Sequence, residues 1–164
     1  MSKGVKPRAI FNLPYHTASV ATPSIQWSNR QRTIKISLPK VRRIIEAALP
    51  MCVSKPYHKR FQLPSKVEIT FLGESAIAKI HGYFLGDPTP TDVITFEHGE
   101  ILIGAPVAAA NARRFIHPVD HELALCAIHG FLHLLGYDDL KDKERKIMHV
   151  RQEEILEAAL RHVC

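Results

Sequence analysis

The chain has 164 residues, 46% of them hydrophobic and 23% charged, the make-up of one globular domain with a single sizeable core. No apolar run approaches the roughly 18 residues of a membrane helix, the N-terminus lacks the apolar core of a secretory signal, and Cys52, Cys126 and Cys164 are too scattered for a disulfide framework, so a reduced, cytoplasmic protein is expected. Residues 1–66 hold thirteen Lys/Arg against one acid and residues 67–164 hold nine against fifteen, so the overall +6 divides into +12 and −6, suggesting a polyanion surface beside a cation site.

Prolines 7, 14 and 23 interrupt the first stretch, and residues 1–23 read as a flexible basic N-terminal extension. Order is expected from Ser24, with strand-like alternation at Ile25–Ser28 and again at Thr33–Ser37. Pro39 suits a first helical turn, and Val41, Ile44, Ile45, Ala48 and Leu49 follow at helical spacing. Pro50, Pro56 and Pro64 bracket a basic loop. Val67–Leu72 reads as a strand, Glu74–Phe84 as a short helix, and Gly86–Pro90 as a turn cluster. Val93–Phe96 and Glu100–Ile103 form a plausible hairpin, followed by a helix over Ala105–Arg114. Two longer helices are expected at Pro118–Leu135, with Gly136 as C-cap, and at Asp142–His162, with Ile147, Met148, Arg151, Ile155, Ala159 and Leu160 on its mostly apolar face. The pattern predicts an α+β fold: a small mixed β-sheet packed with helices, the Pro118–Leu135 helix central.

The chemistry concentrates in Cys126–Asp139, C-A-I-H-G-F-L-H-L-L-G-Y-D-D. His129 and His133 stand at i and i+4, so their rings share one face of an otherwise apolar helix. Two imidazoles buried there without partners would be costly, and a shared cation removes the cost. Gly136 lets the chain turn so that Asp138 or Asp139 can fold back on the same ion. Two imidazoles, a carboxylate and an open position make a zincin-like catalytic zinc arrangement rather than a closed structural one. His121, eight residues before His129, also has the spacing to approach this face. Asp138 has two candidate roles, orienting a ligand histidine or capping the turn. The spacing H-x-x-x-H-x-x-G-x-x-D is also that of metzincin proteases, but these need a glutamate directly after the first histidine, and Gly130 stands there.

The run H-G-F-L-H-L-L-G-Y-D-D resembles the H-G-x-L-H-L-x-G-Y-D-H signature of the YbeY family of single-strand-specific endoribonucleases. Pro90–Phe96, P-T-D-V-I-T-F, is similar to that family's P-T-D-V-L-S-F, Gly99-Glu100-Ile101 to its G-D-I, and Met148 falls nine residues after the last ligand position, as it does there. The resemblance spans residues 24–164, read as a single YbeY-like metal-dependent ribonuclease domain. It implies one Zn2+ per chain on His129, His133 and Asp139, and single-stranded RNA, ribosomal RNA and the ribosome or its small subunit as partners. The implied role is rRNA maturation and ribosome quality control. Asp139 replaces the family's third histidine, and Phe84-Leu85 occupies the position of its Tyr-Arg pair, so no catalytic arginine is carried over. No side chain is assigned as catalytic base; a metal-bound water fills that role, with Asp138 a candidate for holding a ligand. Thr91 and Asp92 are expected to fix the loop lining the site, Asp92 through amides of the turn at Gly86–Thr89. Arg42, Arg43, Lys59 and Arg60 are the candidate RNA-binding residues, with Tyr57 and Phe61 either stacking bases or packing on the domain. A metalloprotease-like hydrolase and a non-catalytic zinc-containing ribosome-assembly factor are the alternatives.

Overall fold

The computed structural model describes residues 22–163, so residues 1–21 of the expected extension, and Cys164, lie outside the described residues. Among them the order is β1 (Ser24–Asn29), α1 (Leu38–Val53), β2 (Lys66–Leu72), α2 (Glu74–Leu85), β3 (Val93–Phe96), β4 (Glu100–Gly104), α3 (Ala105–Phe115), α4 (Val119–Leu134) and α5 (Asp142–Val163). The strands make one mixed sheet ordered β1-β2-β4-β3, parallel from β1 through β4, with β3 antiparallel to β4 across the expected hairpin. The α+β class therefore holds.

Strand alternation divides the apolar side chains between two faces. Val67, Ile69 and Phe71 of β2, with Ile101 and Ile103 of β4, enter the main core beneath α1, α3, α4 and α5. Leu72, Ile94 and Leu102 face the other way and are covered by Ile77 of α2. Helix α4 is apolar on most of its circumference because it packs on α1, α3, α5 and both hairpin strands. It is the central helix, and each of its polar side chains is a special case. No helix among the described residues is long and apolar enough to cross a membrane.

Three sequence expectations are corrected. Thr33–Ser37 is not a strand. The Gln31 carboxamide takes the Ile34 N–H at 2.8 Å and donates to the Ile34 carbonyl at 3.0 Å, satisfying groups a neighbouring strand would need. Ile34 and Ile36 still pack on the core, which accounts for the alternation. Helix α1 does not stop at Pro50 but continues to Val53. The bond Pro50 forgoes is to the Glu46 carbonyl, and both residues lie on the solvent face, where water replaces it. On α5 the buried stripe is Met148, Gln152, Ile155, Leu156 and Ala159, whereas Ile147 is 40% exposed. The stripe thus includes a polar residue, Gln152.

Candidate metal centre

Helix α4 ends in a Schellman turn. Leu135 caps it, Gly136 follows at φ +91°, and the N–H groups of Gly136 and Tyr137 return to the carbonyls of His133 and Leu132, each at 3.0 Å. Glycine is required there: the backbone is left-handed, and a Cβ would fall inside the ring of Phe61. The turn aims the Tyr137 carbonyl back at His133 and carries Asp139 over the end of the helix. Asp138 Oδ1 accepts the N–H groups of Asp139 at 2.7 Å and Leu140 at 3.2 Å, so it caps this turn.

Both histidines are oriented by their outer nitrogens. His129 Nδ1 donates to Gln152 Oε1 at 2.8 Å, and His133 Nδ1 donates to the Tyr137 carbonyl at 3.1 Å. These bonds place the ring protons on Nδ1 and leave a lone pair on each Nε2. The two Nε2 atoms stand 3.0 Å apart, with Asp139 Oδ2 at 3.4 Å from the first and 3.7 Å from the second. Burial holds the His129 pKa below its ordinary value despite the hydrogen bond it donates to Gln152, which favours the neutral ring with a free lone pair. Three electron-pair donors with no proton between them repel one another, and a cation turns that repulsion into ligation. The residues present therefore fit a metal ion, and all three ligand atoms lie within 4.8 Å of one another.

Gly130 is glycine for a packing reason. A Cβ there would meet Ile101 Cδ1 of β4 at 2.8 Å and Thr95 Oγ1 of β3 at 3.0 Å, so α4 approaches the sheet too closely for any side chain. A glutamate base after the first histidine has no room.

Gln152 and the Tyr137 carbonyl are functional groups the sequence reading missed. The signal for Gln152 was present, a polar residue four positions after Met148 on the buried stripe of α5. We expect Gln152→Leu to weaken metal binding about 10- to 100-fold, because the ring loses the acceptor that fixes its tautomer. Competition with a chromogenic chelator measures this, and unchanged affinity would remove Gln152 from the centre.

Two grooves meet at His129. One, of about 730 Å³, is lined by Asp92, Asn111, His117, Glu122, Asp139 and Glu153, among others. The second, of about 770 Å³, is lined by Phe61, Phe84, Leu85, Phe96, His129 and His133, among others. Among the described residues no Lys or Arg lines either. Arg60 stands at the edge of the second, its guanidinium 5.0 Å from the centre of the Phe61 ring, with exposed Lys59 beside it in sequence. Arg42 lies over Trp27 of β1, at the opposite edge of the sheet from β3, and Arg43 reaches the Val163 carbonyl at 3.4 Å. The four candidate RNA-binding residues are thus not brought together. Tyr57 and Phe61 pack on the domain, against Tyr137 and Gly136 respectively. His121 stacks near His117 and lines a separate pocket with Lys40 and Arg43. Asp92 accepts the Val93 N–H at 2.9 Å and the Thr91 hydroxyl at 3.4 Å; the turn at Gly86–Thr89 is held instead by Asp87, which takes the Thr89 N–H and hydroxyl.

This fold has counterparts. Residues 26–159 match the family model described as Endoribonuclease YbeY. The chain belongs to the YbeY family. It is 33% identical over 137 residues to Endoribonuclease YbeY of Bacillus cereus (strain G9842), covering 72% of this chain and 83% of that protein. It is 36% identical over 112 residues to Endoribonuclease YbeY of Lysinibacillus sphaericus (strain C3-41), covering 57% of this chain and 71% of that one. The solution structure of TM1509 from Thermotoga maritima superposes with a TM-score of 0.56 at 27% identity, covering 82% of this chain and 88% of that chain. Against the YbeY signature set out above, the differences in this chain are local: Asp139 stands with His129 and His133 in a cluster that could hold a metal ion, and Leu85, 63% exposed, lines the aromatic groove.

Proposed function

We propose that this YbeY-family protein is a zinc-dependent endoribonuclease that cuts single-stranded RNA. It acts in the cytoplasm in ribosomal RNA maturation and ribosome quality control, on the ribosome or its small subunit. The observation that carries the reading is the convergence of His129 Nε2, His133 Nε2 and Asp139 Oδ2, with both histidines oriented from behind. One zinc per chain would be held by these three residues, and when bound it supplies Lewis acidity toward a phosphoryl oxygen and toward water. Gln152 and the Tyr137 carbonyl hold the rings in the ligating tautomer. Asp138 holds the turn that brings Asp139 to them. Phe61, Phe84 and Phe96 offer apolar surface to unstacked bases along the second groove, with Lys59 and Arg60 near its rim for phosphates. The closed space at Gly130 supports a nuclease over a protease, since peptide hydrolysis on this helix needs a base there.

The test is cleavage of a single-stranded RNA oligonucleotide by the full chain. Cleavage should cease on chelation and return with one equivalent of Zn2+, while casein stays intact. The absence of Lys or Arg from both groove linings favours a second reading, a zinc-containing assembly factor without catalysis. One tightly held zinc with intact RNA would establish that reading instead.

A further inference from the structure

We infer that the acidic groove beside the three-ligand set is a second divalent-cation site, built on Asp92 and Glu122 with His117 at its edge. Glu122, Cys126, His129 and His133 recur along α4 at i, i+4, i+7 and i+11, so one stripe of the central helix contributes to both clusters. Ligand atoms of Asp92, Glu122 and Cys126 lie within 4.8 Å of one another, apart from the first set. Glu122 is only 6% exposed, and its Oε2 is buried without a hydrogen bond. A buried carboxylate oxygen without a donor is costly, and here it is directed into the groove.

His117 does not resolve this. Its Nε2 stands 3.0 Å from Glu122 Oε2, yet the two are not hydrogen-bonded. The ring contacts the Pro118 carbonyl through Nδ1 at 3.3 Å, which places its proton on that side. Glu122 Oε2 is thus faced by the His117 ring without a hydrogen bond, with Asn111 in the same groove lining. Asp92 is pinned from behind by the Val93 N–H, so its carboxylate is held in place before any ion arrives.

The donor chemistry selects the class of ion. Asp92 and Glu122 set two carboxylates in this cluster against the one buried thiol of Cys126. Carboxylate oxygens are hard donors, and two of them against one thiol favour Mn2+ or Mg2+ over a thiophilic metal. Glu122 precedes His129 by seven residues, about 10 Å along the helix axis at 1.5 Å per residue, and the two clusters share no residue. The site stands on this geometry alone. Its role rests on the proposed RNA reading: a second cation supplies the positive charge that a phosphodiester needs in a groove without Lys or Arg.

The test is Mn2+ binding to the full chain, pre-incubated with one equivalent of Zn2+, followed by the electron paramagnetic resonance of free Mn2+. The parent should bind one Mn2+ per chain. Glu122→Gln and Asp92→Asn should each weaken it by about tenfold or more while zinc content stays unchanged. His133→Ala, which disables the first set, should keep the Mn2+ site. Absence of millimolar binding in the parent overturns the inference and leaves a proton shared between Asp92 and Glu122 as the account of the cluster. Mn2+ lost in His133→Ala but kept in Glu122→Gln overturns it too, since the ion then sits on the first set and the zinc reading alone is in question. Circular dichroism melting of each variant identifies one that fails to fold, and the parent stoichiometry decides independently of any variant.

Discussion

The His133→Ala protein is expected to lose its zinc, from about one ion per chain to a small fraction, and to lose RNA cleavage by roughly a thousandfold, since a metal's charge stabilisation is worth several kcal/mol at about 1.4 kcal/mol per tenfold. The fold should survive. The His133 ring is 28% exposed, and its one framework bond is Nδ1 to the Tyr137 carbonyl, worth about 1 kcal/mol. Elemental analysis of gel-filtered protein beside a melting curve checks both halves. Asp139→Ala should be milder on affinity, because the two imidazoles remain. Its oxygen is also the most distant donor, 3.4 Å and 3.7 Å from the ring nitrogens. Full zinc stoichiometry in His133→Ala would place the metal elsewhere and end the present account of the centre. Zinc lost with cleavage retained would separate the metal from the chemistry.

The parts of this molecule that local patterns specify were legible in its sequence. The ligand helix, its glycine turn and the trailing aspartates follow from spacing and backbone chirality alone, and so does the alternation of Val67, Ile69 and Phe71. What failed to show was long-range. Gln152 meets His129 from twenty-three residues away, and nothing near either residue announces the bond. Ile34 and Ile36 alternate because they touch the core, but Gln31 had already taken the backbone groups a strand needs. Pro50 looked like a stop because its cost is read locally. The buried Leu49 before it and Cys52 beyond it carry the helix through, and that burial is a tertiary property. The basic half of the chain suggested one continuous phosphate surface. Folding instead spreads Arg42, Arg43 and the Lys59–Arg60 pair over different faces, and charge counts hold no information on that.

Gly136→Ala should be among the most damaging single-methyl changes in the chain, for two separable reasons. A left-handed alanine costs about 1–2 kcal/mol in backbone strain. The added methyl also lands in the Phe61 ring, and overpacking of that kind costs about 1–3 kcal/mol. Together they predict a loss of about 2–5 kcal/mol, or a fall of roughly 5–20 °C in melting temperature for a domain of this size. Gly73→Ala is the control, because a Cβ there meets nothing closer than 3.9 Å and its φ of −76° suits any residue. The site should fail with the turn: Tyr137, whose carbonyl holds His133, follows Gly136 directly and Asp139 comes two residues later, so zinc affinity should drop even where most molecules remain folded. A double-mutant cycle with Phe61→Ala apportions the two causes. Removing the ring should recover the steric part and leave the strain of φ +91° untouched. Simple additivity in that cycle would mean Phe61 yields freely and backbone chirality alone fixes this glycine. A strong favourable coupling would mean that the clash with the Phe61 ring carries most of the cost.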